Sequence, residues 1–152
     1  MTVDVQMASA CTSVPSEDQL REWAKLAKGQ RPDAQLVIRV VDNEESAMLN
    51  ATYRQKEGPT NVLSFPFEHP IGLPDDAVID DILGDIVICA PVVEQEANEQ
   101  SKGIDKHWSH MVIHGCLHLQ GYDHIEETER LKMETVEIKL LETIGIKNPY
   151  EG

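Results

Sequence analysis

The sequence predicts a single α+β domain over residues 1–152: a small mixed β-sheet packed with about five helices, one of them conspicuous and late in the chain. Three observations predict it. The 152 residues are enough for one core and contain no internal repeat or linker. Short β-branched runs are interspersed with longer stretches of helical periodicity rather than alternating with them regularly. The C-terminal third is dominated by two long helical patterns.

Residues 1–15 carry no motif and are expected to be the least ordered part. Ser16-Glu17-Asp18-Gln19 has the form of a capping box, and Leu20, Trp23 and Leu26 or Ala27 follow at helical spacing. Gly29 and Pro32 are placed to stop that helix. Gln35–Val41 (QLVIRVV) reads as a buried strand. Asp42-Asn43-Glu44-Glu45 repeats the cap pattern before a helix whose apolar positions are Met48, Leu49 and Tyr53. Val62–Phe67 (VLSFPF) is a second strand, which Pro66 confines to an edge or ends. Glu68–Asp81 is a proline-containing acidic loop. Asp85–Ala90 is a third strand, and Pro91 stands where a helix begins. The next helix runs from Lys102 or Asp105 to Gln120, with Gly121 placed to end it. The last opens near Asp123-His124-Ile125-Glu126, with Asp123 as its cap, and continues to about Ile144.

The formal charge is −14, which excludes a protein that grips nucleic acid by bulk basicity, because such binding depends on Lys and Arg displacing counterions. Glu57–Ser101 contains ten acids and no Lys or Arg, so the remainder is nearly balanced and local basic sites remain available. That stretch reads as a solvated acidic face. No run approaches the roughly 18–20 apolar residues of a spanning helix. Met1–Ala10 lacks the basic and apolar regions of a signal peptide, and three cysteines have no paired spacing. A cytoplasmic protein with free thiols is expected, with neither a membrane nor DNA as partner.

Composition would put about 0.7 histidine in any 18-residue window, yet His107–His124 holds five. At 3.6 residues per turn His114 and His118 lie roughly 40° apart in projection and about 6 Å apart along the axis, so their imidazoles can converge on one metal ion. A left-handed Gly121 would turn the chain back and let His124 supply a third ligand. Three nitrogen ligands leave one tetrahedral position of Zn²⁺ open, the arrangement of catalytic rather than structural zinc. Cys116 lies roughly 200° around the helix from His114 and reads as a packing residue. His110, one turn before His114, is either a group near the site, contacting the substrate or supporting a metal ligand from behind, or a plain helix-face residue. The spacing His114-x-x-x-His118-x-x-Gly121-x-x-His124 is also that of metzincin proteases, but Gly115 stands where those enzymes carry their general-base Glu. Gly inside a helix costs about 1 kcal/mol relative to Ala, which suggests that bulk at 115 would obstruct something.

The run His114-Gly115-Cys116-Leu117-His118-Leu119-Gln120-Gly121-Tyr122-Asp123-His124 resembles the HGxLHLxGYDH signature of the YbeY family of bacterial ribosomal-RNA maturation factors. Leu49–Lys56, Pro59–Phe67, Leu83–Ile88 and Asn148-Pro149-Tyr150 agree in the same order, so the resemblance covers roughly residues 35–150. It implies a metal-dependent, single-strand-specific endoribonuclease acting at the small-subunit rRNA 3′ end and in ribosome quality control. Its partners would be single-stranded rRNA, the ribosome or its small subunit, and associated proteins. It further implies one Zn²⁺ held by His114, His118 and His124, with Arg54 as a functional residue of the cleft. A guanidinium can pair bidentately with a phosphate as charge builds on it; an exposed ion pair with Glu57 or the acidic loop is the structural alternative. Lys56 is a weaker candidate for the same work, with Lys102 and Lys106 adding positive charge, while Asp85 helps shape the sheet end. Two alternatives are a peptidase-like zinc hydrolase, which Gly115 disfavours, and a ribosome assembly factor with a structural metal.

Overall fold

The computed structural model describes residues 2–27, 33–67, 82–122 and 126–150. In chain order the elements are β1 (Thr2–Met7), α1 (Glu17–Leu26), β2 (Gln35–Val41), α2 (Asn43–Arg54), β3 (Val62–Pro66), β4 (Ile82–Cys89), α3 (Ala90–Glu99), α4 (Ile104–Leu119) and α5 (Glu127–Glu142). The strands form one sheet in the order β1-β2-β4-β3. β1, β2 and β4 run parallel, and β3 closes the edge antiparallel to β4. This is the mixed sheet with five helices that the sequence predicts.

The central strand β4 is buried on both faces, which is why it reads as a continuous apolar run rather than an alternating one. On one face Ile86 and Ile88 join Leu36, Ile38 and Val40 of β2 under Trp23 of α1, Trp108, Val112 and Cys116 of α4, and Met133 of α5. On the other, Val87 and Cys89 join Val41 and Leu63 in a smaller cluster capped by Leu49 of α2 and by Phe65. Ser16 caps α1 by accepting from the backbone N–H of Gln19 at 3.1 Å. Pro91 lies in the first turn of α3, where its missing N–H costs nothing.

Several expectations need correction. The N-terminal segment is not without order: Thr2–Met7 pairs in register with Gln35–Val40, and Val3 is buried. Six residues with two inward valines make no independent signal; pairing with β2 decides the matter. In α2, Met48 and Tyr53 are 58% and 59% exposed, and the buried positions are Ser46 and Asn50. The reason lies in the loop that follows. Ser46 Oγ donates to the Thr60 carbonyl and accepts from the Thr60 N–H, and Asn50 Nδ2 donates to the Gly58 carbonyl. Asp42 takes the N-cap position of α2 as expected, but its side chain makes no cap hydrogen bond; the carboxylate accepts instead from Ser9 Oγ and the Ala10 N–H. Gly29, Pro32, the acidic loop Glu68–Asp81, Asp123 and His124 lie outside the described residues.

Gly115 has a packing role. A Cβ there would fall 2.9 Å from Ile86 Cγ2, so the glycine is what lets α4 press onto β4. Ser64 Oγ of β3 donates to the Gly115 carbonyl at 3.3 Å across the same contact. Ala is the better helix former by about 1 kcal/mol, but overpacking against a fully buried Ile costs about 1–3 kcal/mol. Gly115→Ala is therefore expected to lose roughly 1 kcal/mol net, measured as a lower urea midpoint with unchanged slope. A gain in stability would show that the Ile86 contact relaxes at no cost.

Candidate metal centre

α4 is buried along most of its length, and its C-terminal half forms part of a cleft. His114 and His118 leave the helix one turn apart, and their Nε2 atoms are 3.1 Å from each other. Two nitrogens each about 2.0–2.1 Å from a tetrahedral Zn²⁺ would stand roughly 3.3 Å apart, so the pair is close to chelating distance. Gly121 (φ +96°) ends α4 in a Schellman turn. The N–H of Gly121 reaches the His118 carbonyl, and that of Tyr122 the Leu117 carbonyl. The chain thus leaves the helix immediately beside the two imidazoles.

Sequence reasoning missed what stands behind His114. Glu137 of α5 is fully buried, and its Oε1 lies 2.7 Å from His114 Nδ1. Its Oε2 meets His110 Nε2 at 2.8 Å and the Tyr150 hydroxyl at 2.5 Å. Burial alone would raise this carboxyl, but the hydrogen bonds from His110 and His114, with the Tyr150 contact, outweigh it and hold Glu137 at about 2. An ionised carboxylate only accepts. The proton between the two therefore sits on His114 Nδ1, so in the neutral imidazole Nε2 is the nitrogen left as an acceptor, on the side of His118. This is the carboxylate–histidine arrangement that orients metal-binding imidazoles. Burial, and then the Glu137 charge, push the Tyr150 hydroxyl upward, so it remains a donor. His110, His114 and Glu137 also bring ligand atoms within 4.8 Å of one another, a group that could itself hold a metal ion. No pattern in the sequence marks Glu137, which is one acid among many on α5.

The cleft has a volume of about 440 Å³, and Arg54, Lys56, Asn61, Ser64, His114 and His118 are among its lining residues. Arg54 ends α2; its guanidinium donates to the Ser64 carbonyl at 2.6 Å and lies 5.4 Å from the Phe65 ring centroid. Gln55 takes a left-handed backbone (φ 57°) that ends α2 and turns Lys56 toward the cleft. The structure thus brings together Arg54, Lys56, His114 and His118. His110 is not among the residues lining the cleft; it is 8% exposed and lies behind His114, on Glu137 and Tyr150, which is the supporting position rather than the substrate-contacting one. Lys102 and Lys106 are not there either. Lys102 Nζ holds the Pro149 carbonyl, and Lys106 borders a groove with Trp23 and Ile146. Asp85 is exposed opposite Phe65 in the β3–β4 register. Cys116 is fully buried in the core, and burial pushes its thiol up to about 12. Cys11, Cys89 and Cys116 are all free. Among the described residues no helix is long and apolar enough to cross a membrane.

A second buried histidine supports the cleft wall. His107 Nε2 lies 3.0 Å from Glu96 Oε1, and the same carboxylate accepts from Asn61 Nδ2. Burial lowers His107 below its ordinary 6.5, although Glu96 pulls the other way. A group whose folded value is depressed stabilises above its unfolded value and loses that contribution as pH falls. Stability should therefore decline below about pH 6.5, and Glu137 adds a further loss from about 4.5 down to about 2. Urea midpoints at pH 7 and pH 5 check this: the drop should shrink in His107→Gln, and an equal drop would clear His107 of responsibility.

Comparison with known proteins adds the following. A family model described as endoribonuclease YbeY matches residues 6–145. The endoribonuclease YbeY of Methylococcus capsulatus is 57% identical over 149 residues, covering 97% of this chain and 95% of that protein. The solution structure of TM1509 from Thermotoga maritima superposes with a TM-score of 0.57, covering 97% of this chain and 99% of that one; at 23% identity this likeness concerns the fold.

Proposed function

Because the chain belongs to the YbeY endoribonuclease family, we propose that it cleaves single-stranded RNA with one bound Zn²⁺ ion. Its task is maturation of ribosomal RNA, at the small-subunit 3′ end, and ribosome quality control in the cytoplasm, with the ribosome or its small subunit as partner. The observation that carries this reading is the pair of Nε2 atoms 3.1 Å apart at the wall of a cleft that also holds Arg54 and Lys56. His114 and His118 would hold the metal together with His124. The alternative group of His110, His114 and Glu137 suits this less well, because His110 and Glu137 are buried and both carboxylate oxygens already accept hydrogen bonds.

When bound, zinc supplies a Lewis acid that polarises a phosphoryl oxygen or lowers the pKa of water. Around it the chain's own residues do three things. Glu137 holds the His114 Nδ1 proton, so Nε2 stays a lone-pair donor. Arg54, already fixed by the Ser64 carbonyl, faces the phosphate and stabilises the negative charge that accumulates on it. Lys56 adds a second, more mobile cation on the same wall. Gly115 leaves no carboxylate beside the first histidine, which argues against peptide hydrolysis.

The test combines metal analysis with cleavage of single-stranded and duplex fragments of small-subunit rRNA. The wild type should carry one zinc per chain and cut only the single strand. His118→Ala, at the half-exposed end of α4, should keep its fold and lose both metal and cleavage. Retention of metal and full cleavage by His118→Ala would overturn the assignment.

A further inference from the structure

The geometry points to a base-stacking site beside the cleft: we propose that Tyr53, backed by Phe65, stacks an unpaired nucleobase of the RNA next to the phosphate that Arg54 contacts. The inference rests on the RNA-cleaving reading above and names how that substrate is gripped. The chain has only two Trp, three Tyr and two Phe, and both tryptophans are buried in the core. Of the remaining five, Tyr53 at the end of α2 and Phe65 in the edge strand β3 pair with each other, and Phe67 follows just after that strand. Tyr53 is 59% exposed and Phe67 40% exposed, although burying such rings is what normally stabilises a fold. Tyr53 and Phe65 meet in a T-shaped pair at 5.3 Å and 72°, so a neighbouring ring braces Tyr53 while more than half of its surface stays exposed. Phe65 also lies under the Arg54 guanidinium, which is 5.4 Å from its ring centroid. Arg54 is thus shared between the cleft and the aromatic pair, and a strand leaving the cleft over β3 passes from one to the other.

The charge of the chain gives this site its purpose. At −14 overall the protein cannot hold RNA through many phosphate contacts. Stacking is indifferent to that charge, tolerates any base, and contributes comparably to each base it engages. It also requires a base whose π-face is free, which a duplex does not offer. The same contact therefore supplies affinity and selects single strands.

The zinc-loaded full-length enzyme is tested on short single-stranded oligoribonucleotides. Tyr53→Ala should raise KM about tenfold with kcat unchanged, because the contact is equal in ground and transition states. Tyr53→Phe should keep the wild-type KM. In a parallel series one abasic nucleotide is moved through the positions flanking the cut. For the wild type one position should raise KM about tenfold, and for Tyr53→Ala that position should no longer matter. A wild-type KM in Tyr53→Ala, a loss in Tyr53→Phe equal to that in Tyr53→Ala, or an abasic effect that persists in full without the ring would each overturn the stacking site while leaving the nuclease assignment standing. A wild-type enzyme that cuts no RNA would overturn both.

Discussion

Glu137→Ala is expected to lower stability by about 3–5 kcal/mol and to weaken zinc binding by about 10–100-fold. The side chain is fully buried, and three donors converge on it, from His110, His114 and Tyr150. Its removal takes the acceptor from all three; His110 is buried, whereas His114 and Tyr150 keep some exposure, and a group left without a partner away from water costs about 1–3 kcal/mol. Glu137→Gln separates the two effects. It keeps the volume and one acceptor oxygen, so most of the stability should remain. Its amide offers one acceptor oxygen where the carboxylate offered two, however, so His114 competes for it with His110 and Tyr150, and the negative charge that fixes the His114 tautomer is gone. Urea titration of the metal-free proteins reads the first effect, and competition with a chromophoric chelator reads the second. Wild-type zinc affinity in Glu137→Gln would mean that the carboxylate supports the fold alone.

Arg54→Ala is expected to lower kcat by about 10²–10³-fold, the range found when one preorganised donor to a developing anion is removed. Zinc content and urea midpoint should stay as in the wild type, because Arg54 is exposed and its hydrogen bond among the described residues ends on the Ser64 carbonyl at the sheet edge. Surface changes of this kind rarely move stability by more than about 0.5 kcal/mol. Arg54→Lys should recover only part of the rate, since an ammonium supplies charge without the planar fork. Single-turnover cleavage at saturating enzyme isolates the chemical step. If Arg54→Ala cuts at the wild-type rate under those conditions, the residue serves binding or structure.

The contrast between His118 and Glu137 illustrates what was legible in the sequence. Helical periodicity alone places His114 and His118 on one face, and Gly121 alone announces the turn after them, because 3.6 residues per turn and the left-handed freedom of glycine are local rules. The same locality made α1, β2 and β4 readable: their apolar spacing needs only a core somewhere to face. Arg54 was reached through resemblance, since nothing in its immediate neighbours distinguishes a cleft arginine from a solvated one. β1 was missed because it is a strand only by pairing with β2 across more than thirty residues of chain. Periodicity puts Met48 and Tyr53 on the apolar stripe of α2 but cannot tell a stripe that is buried from one left open, and both are exposed.

The sequence by itself therefore determined the elements, the paired imidazoles and the acidity that excludes bulk electrostatic binding of RNA. Only the tertiary structure decided which groups those imidazoles answer to. Glu137 lies 23 residues beyond His114 in the chain, and Tyr150 lies 40 beyond His110. They meet because α5 packs across α4 and the last residues fold back over both. Hydrogen bonds and buried charges depend on distance in space, which no spacing along the chain encodes, so the residue that orients the metal site became visible only when the helices were packed.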